Sequence, residues 1–229
     1  MNILTNGCSF SRGPGSWPYK IKSSSLVNLA QAGAGNSYIH ESTVYELSQR
    51  HYDYVIIMWS GIARVDFRVE EITQFDSSKF TSNYQRKRND WPGKVIFPVN
   101  DQDYVDPTWV FGDGIINNER NLVNKNFLNG VYKYLGPKEF RYHMLQKVIA
   151  LQSLLKDLRI PYLFSFYKNY TAELTDHPLF KLVDTGNAVM DSFLFNIATE
   201  LNDFEEDKLH PGLTAHAEWA KIIESRLHG

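Results

Sequence analysis

The chain has 229 residues, 43% of them hydrophobic and 22% charged, with a formal net charge of −2 at pH 7. These values describe a soluble globular chain with a sizeable core and exclude a mostly disordered one. The near-neutral charge gives no overall drive toward nucleic acid, and the lone cysteine, Cys8, excludes an intrachain disulfide and a multi-cysteine zinc site.

Asn2–Asn6 is a short apolar start that reads as the first strand, with Gly7 supplying a tight turn after it. Ser25–Ala32 reads as a second strand, stopped by Gly33-Ala34-Gly35. Ser37 to Arg50 follows as a helix, with Asn36 or Ser37 as its cap. The run YVIIMW after Asp53 is continuously apolar, as a strand covered on both faces must be. Val69–Gly136 is rich in Gly, Pro, Asn and Asp with scattered aromatics, and reads as a long insertion with one short helix near Asn121–Val131. Pro137 opens an amphipathic helix to Leu158, with Phe140, Met144, Val148, Leu151 and Leu155 as its stripe. YLFSFY is a further buried strand, Ala188–Leu201 a weaker helix, and Pro211–Leu227 the last helix. This order predicts a single-domain, three-layer α/β/α sandwich with a mainly parallel sheet and a long insertion after the third strand.

Three groups of residues carry candidate chemistry. Ser9 lies just past the first strand, where open α/β sheets place ligands. Neighbouring Cys8 is a rival nucleophile, but an adjacent residue leaving a strand points the other way. Asp207 and His210 are close enough for one loop to present both. A serine hydroxyl needs a base, and the base needs a partner that fixes its tautomer. Gly33-Ala34-Gly35-Asn36 lies at a strand-to-helix junction, where glycines let amides approach a developing negative charge. The same letters do not make a dinucleotide fingerprint. The third glycine position holds Tyr38, and Asp53 opens its strand where the ribose-binding acid should close it.

Taken together, Ser9, the NLAQAG string ending at Gly33, and Asp207-x-x-His210-Pro211 resemble the SGNH (GDSL-type) hydrolase superfamily. The resemblance covers the chain up to about residue 65 and again from about residue 205. It implies a flavodoxin-like fold and metal-free, cofactor-free cleavage of esters or thioesters. Ser9 would be the nucleophile, His210 the base and Asp207 its partner. Backbone amides at Ser9 and Gly33 would hold the oxyanion, with Asn36 beside them. The third family block departs from the pattern. Trp59-Ser60-Gly61-Ile62-Ala63-Arg64 stands where G-x-N-D is expected, so Ser60 or Arg64 would have to replace the missing asparagine donor. Loss of one such donor typically costs about 10²–10³ in rate.

The function expected is a serine esterase, with an acyl or acetyl group on a carbohydrate as first substrate class. A non-catalytic binding or structural protein that keeps the fold is the alternative. The partner expected is a small-molecule or glycan ester, with no nucleic acid and no membrane span. No run approaches the ~18 apolar residues such a span needs. The N-terminus lacks a standard signal peptide, which predicts a cytoplasmic or otherwise non-secreted location. Arg86-Lys87-Arg88 reads as a solvated loop, and His216 as a surface or supporting histidine with no metal role. The insertion, with Trp91 and Trp109, is expected to cover the site and select the substrate.

Overall fold

A computed structural model describes residues 1–69, 108–112, 130–131 and 133–227. Within them a five-stranded parallel sheet runs in the order β2-β1-β3-β6-β7. Its strands are β1 (Asn2–Asn6), β2 (Ser25–Asn28), β3 (Tyr54–Trp59), β6 (Tyr162–Phe166) and β7 (Ala188–Val189). The helices are α1 (Asn36–Gln49), α2 (Pro137–Asp157), α3 (Thr171–Thr175), α4 (Leu194–Leu201) and α5 (Leu213–Leu227). A separate antiparallel pair, β4 (Val65–Val69) and β5 (Thr108–Gly112), leaves the body after β3.

The layers follow from the order of strands. From β1 the chain steps to β2 on one side, then crosses back to β3 and β6 on the other. Parallel crossovers are right-handed, so connections running in opposite directions lie on opposite faces. Helices α1 and α2 therefore pack on one face. The β1–β2 connection lies on the other, where its short turn Trp17–Lys20 packs on α5 and α5 on α4. Both faces being covered explains why β3 and β6 are buried almost without alternation. The stripe of α2 is buried as its spacing predicts, with Leu145 added to it.

The expected α/β/α class holds, and most elements fall within a residue or two of their predicted bounds. Three expectations are corrected. Ser25–Ala32 is strand only to Asn28, although Leu29 N and Gln31 N still donate to Thr5 O and Gly7 O at 2.9 and 3.2 Å as the chain runs beside the β1 exit. Ala188–Leu201 is not one helix. Ala188 and Val189 pair with Phe164 and Ser165 as a sheet edge, and α4 starts only at Leu194. Pro211 stands before the last helix, bridged to Phe204, and α5 opens at Leu213. The short helix near Asn121–Val131, Arg86–Arg88 and Trp91 fall wholly or largely outside the described residues, as does most of Val69–Gly136. The β4–β5 ladder, whose second strand lies within that segment, is an addition to the predicted elements.

Asn6 ends β1 inside the core. Its Nδ2 lies 3.0, 2.8 and 2.9 Å from Ile39 O, Ser42 Oγ and Thr43 Oγ1 of α1, while its Oδ1 accepts from Gly7 N at 2.8 Å. Asn6→Ala would strand these buried groups. We expect it to destabilise the fold by about 1–3 kcal/mol in urea unfolding, the ordinary cost of leaving buried polar groups unpaired.

His216 is buried on α5, not at the surface, and its Nδ1 has no partner among the described residues. Burial, aided by Lys20, holds it well below the ordinary imidazole range, at about 4. The folded value lies below the unfolded one, about 6.5. The stabilisation from keeping this ring neutral is therefore complete above about pH 6.5 and is lost as pH falls toward 4. Urea titrations at pH 7 and 4.5 should show an acid sensitivity, on the order of 2 kcal/mol, that His216→Leu lacks.

Candidate active site

The strand order reverses between β1 and β3, and such a reversal opens a crevice at the carboxyl ends of the two strands. Ser9 stands there. Beyond β1 the chain makes a single tight turn, Ser9–Ser11, in which Ser11 N donates to Cys8 O at 2.9 Å. Gly7 permits the turn, because a Cβ there would press into the Ser11 side chain and lie 3.1 Å from Met58 O. Cys8 is wholly buried, whereas Ser9 is half-buried. Cys8 is thus closed off from solvent, whereas Ser9 is reached by it.

Asp207 and His210 share one closed loop. Phe204 bridges Pro211, Glu205 N donates to His210 O at 2.8 Å, and Lys208 takes a left-handed conformation at φ 55°. Asp207 organises this loop with both oxygens. Its Oδ1 accepts from Leu209 N and His210 N at 2.8 and 2.9 Å, while its Oδ2 pairs with His210 Nδ1. Burial alone would raise this carboxyl. The two amides and the imidazole outweigh it and hold the group well below the ordinary range, at about 2. An ionised Asp207 keeps the proton of His210 on Nδ1, which leaves Nε2 as the open acceptor. The His210 ring lies 5.4 Å, centroid to centroid, from Phe10, the residue after Ser9.

The glycine block and the loop after β3 are tied to each other. Gly33 has φ 82°, a left-handed conformation suited to glycine. Asn36 is the first residue of α1, not its cap, and its amide spans the crevice. Its Oδ1 accepts from Ser60 N at 2.9 Å and its Nδ2 donates to Gly61 O at 3.2 Å. Asn36 thus holds the two loops in register. The cap of α1 comes from outside the helix, from Asp66 on β4, which accepts from Ser37 N and Tyr38 N at 3.1 and 2.7 Å. The carboxylate sits so close that a Cβ at Gly35 would lie 2.8 Å from it. Arg64 donates to Ala34 O at 3.4 Å. Ser60 has its amide committed to Asn36, while its buried Oγ has no partner among the described residues.

Two residues not singled out in the sequence complete the surroundings. Tyr167 follows β6 and packs on Phe10 at 4.5 Å between ring centroids, and Tyr170 donates its hydroxyl proton to the Tyr167 oxygen at 2.9 Å. Phe195 N donates to Tyr167 O at 2.9 Å, which anchors the start of α4 here. The available signal was position: Tyr167 stands immediately past the carboxyl end of a buried parallel strand. Glu205, Asp207 and His210 bring ligand-type atoms within 4.8 Å of one another. A cation bound by all three would have to compete for the Asp207–His210 hydrogen bond.

No family model matches the sequence, and no curated protein matches it. Among solved structures, the fold is similar to the psychrotrophic esterase EstA from Pseudoalteromonas sp., in a structure inhibited by monoethylphosphonate. The match covers 99% of this chain and 94% of that one, at 13% identity and a TM-score of 0.49.

The Asp207–His210 geometry is testable without any substrate. Asp207→Asn keeps an oxygen for the loop amides but turns an NH2 toward Nδ1. Nitrogen-15 spectra of the histidine rings at pH 8 should show the Nδ1-protonated form in the native protein and the Nε2-protonated form in the variant. An unchanged tautomer would show that Asp207 does not set it.

Proposed function

We propose that the protein is a serine hydrolase that cleaves carboxylic esters through an acyl-enzyme. The observation that carries this reading is the His210 ring, held by Asp207 with Nε2 open, on the Phe10 ring beside Ser9. In this reading Ser9 Oγ attacks the ester carbonyl while His210 Nε2 takes its proton. Asp207 stabilises the imidazolium, and His210 then returns the proton to the leaving alcohol. Water attacks the acyl-enzyme with His210 again as base. The amides of Ser9 and Gly33 are assigned to the oxyanion, and Ser60 Oγ, the uncommitted donor on the third loop, supports them. Asn36 is assigned to holding that loop. The whole chain is taken as one domain in which the segment from 69 to 136 selects the substrate. A small acyl group on a carbohydrate is the first candidate, from the 14% aromatic content.

The absence of an asparagine between Trp59 and Arg64 favours one alternative, a protein that keeps the fold and binds without catalysis. A fluorophosphonate probe separates the two. Labelling is expected in the native protein and in Cys8→Ala, and not in Ser9→Ala. Ester turnover should fall at least about 10³-fold in Ser9→Ala, with unchanged unfolding behaviour. Labelling that survives in Ser9→Ala, or its absence from the native protein, would sink the assignment.

The pH dependence gives a second test. A histidine base takes a proton only in its neutral form, so turnover should be lost on acidification. Asp207, titrating near 2, stays ionised throughout. A flat profile from about pH 5 to 8, with chemistry rate-limiting, would exclude His210 as base.

A further inference from the structure

At Gly61, in the loop after β3, the side chains of Arg64, Tyr167 and Tyr170 bring hydrogen-bond donors together. Among the described residues the half-buried Arg64 makes one long hydrogen bond, to Ala34 O at 3.4 Å. Among the described residues it has no carboxylate within ion-pair distance. Asp66, two positions on, is committed to the amides of α1, and Glu173, the acid whose charge reaches Tyr170, is exposed on α3. Tyr170 gives its proton to Tyr167, so the proton of Tyr167 is left to donate elsewhere. Gly61 is where these groups converge. A Cβ there would lie 3.4 Å from the Tyr170 hydroxyl, 3.6 Å from the Tyr167 hydroxyl and 3.6 Å from Arg64 Cγ. Burial, with the Tyr167 hydroxyl, pushes the Tyr170 phenol above its ordinary range, so Tyr170 keeps its proton. The guanidinium is the only full charge of the group.

A half-buried guanidinium with no acid beside it among the described residues, next to a hydroxyl with a spare proton, is matched by a ligand that brings acceptors and a negative charge. The Phe10 ring touches both Tyr167 and His210, which places the group next to the proposed reacting centre. We propose that Arg64, Tyr167 and Tyr170 form an anion subsite, and that the ester cleaved here carries a carboxylate close to the scissile bond. The position of the ester rests on the hydrolase reading; the binding of the carboxylate does not. Arg64 is then a specificity residue that holds the substrate's charge, and the oxyanion is left to the backbone amides and Ser60 Oγ.

The test compares matched esters. One pair is 4-nitrophenyl butyrate and mono-4-nitrophenyl glutarate, with the charge on the acyl side. The other is phenyl acetate and 4-acetoxybenzoate, with the charge on the alcohol side. The ratio of kcat/KM, anionic over neutral, should favour the anionic member in at least one pair. It should fall about tenfold to a hundredfold in Arg64→Gln, as for loss of a charge-assisted pair, and severalfold in Tyr167→Phe. Tyr167→Phe keeps the ring on Phe10 and serves if Arg64→Gln does not fold. Calorimetry on Ser9→Ala with monoethyl glutarate reads binding without turnover, and Arg64→Gln in that background should abolish it. An unchanged ratio in Arg64→Gln, both esters falling by the same factor, would overturn the proposal and assign Arg64 to the oxyanion. A folded Ser9→Ala protein that does not bind monoethyl glutarate would overturn it as well. Failure of fluorophosphonate labelling with binding intact would remove the hydrolase reading and leave the subsite standing.

Discussion

The reversal of strand order between β1 and β3 is the constraint from which the site follows. Two neighbouring parallel strands send their chains to opposite faces of the sheet, so the loops that leave them must diverge. Divergence opens a crevice but leaves backbone amides and carbonyls at its lip without the ladder that satisfied them lower down. The molecule satisfies them with side chains. Asn6 closes the end of β1 against α1, and Asn36 spans from the start of α1 to the end of β3. Each of these amides both donates and accepts, which lets one residue satisfy both sides of a gap.

The same logic explains the acid on β4. The first amides of α1 have no side-chain cap in their own sequence, and Asp66 supplies one from β4. A buried carboxylate costs desolvation, seen as a shift of Asp66 above its ordinary range, and the helix amides offset part of that cost. Segment 60–66 is consequently fastened to segment 34–38 at three places, through Asn36, Arg64 and Asp66. In the proposed hydrolase reading such rigidity serves the oxyanion donors, because donors fixed in advance cost no reorganisation when charge develops.

Most of the sheet was legible in the sequence because its strands are buried on both faces. YVIIMW and YLFSF admit few other readings once bounded by turn residues, and the α2 stripe recurs at helical spacing. Ala188–Val189 was not legible. Two residues cannot display a period, and their pairing depends on β6, which is distant in sequence. The Asp207–His210 pair was legible because its geometry is local, made within four consecutive residues. The roles of Asn36 and Asp66 were not, because each depends on partners roughly 25–30 positions away that only the crossover brings near. Tyr167 was read as the end of a strand, and its side chain matters for what lies past that end.

The pairing of β4 with β5 has a consequence for the chain between them. Val69 stands opposite Thr108 at one end of the ladder, and Val65 opposite Gly112 at the other. The polypeptide that departs at Val69 therefore returns at the same point in space. Closing a chain between two such fixed ends costs only about 0.6 kcal/mol more for each doubling of its length. The ladder, registered to α1 through Asp66, works as a socket. A change in the length of chain between Val69 and Thr108 need not disturb that socket, because both of its edges are set by the ladder itself.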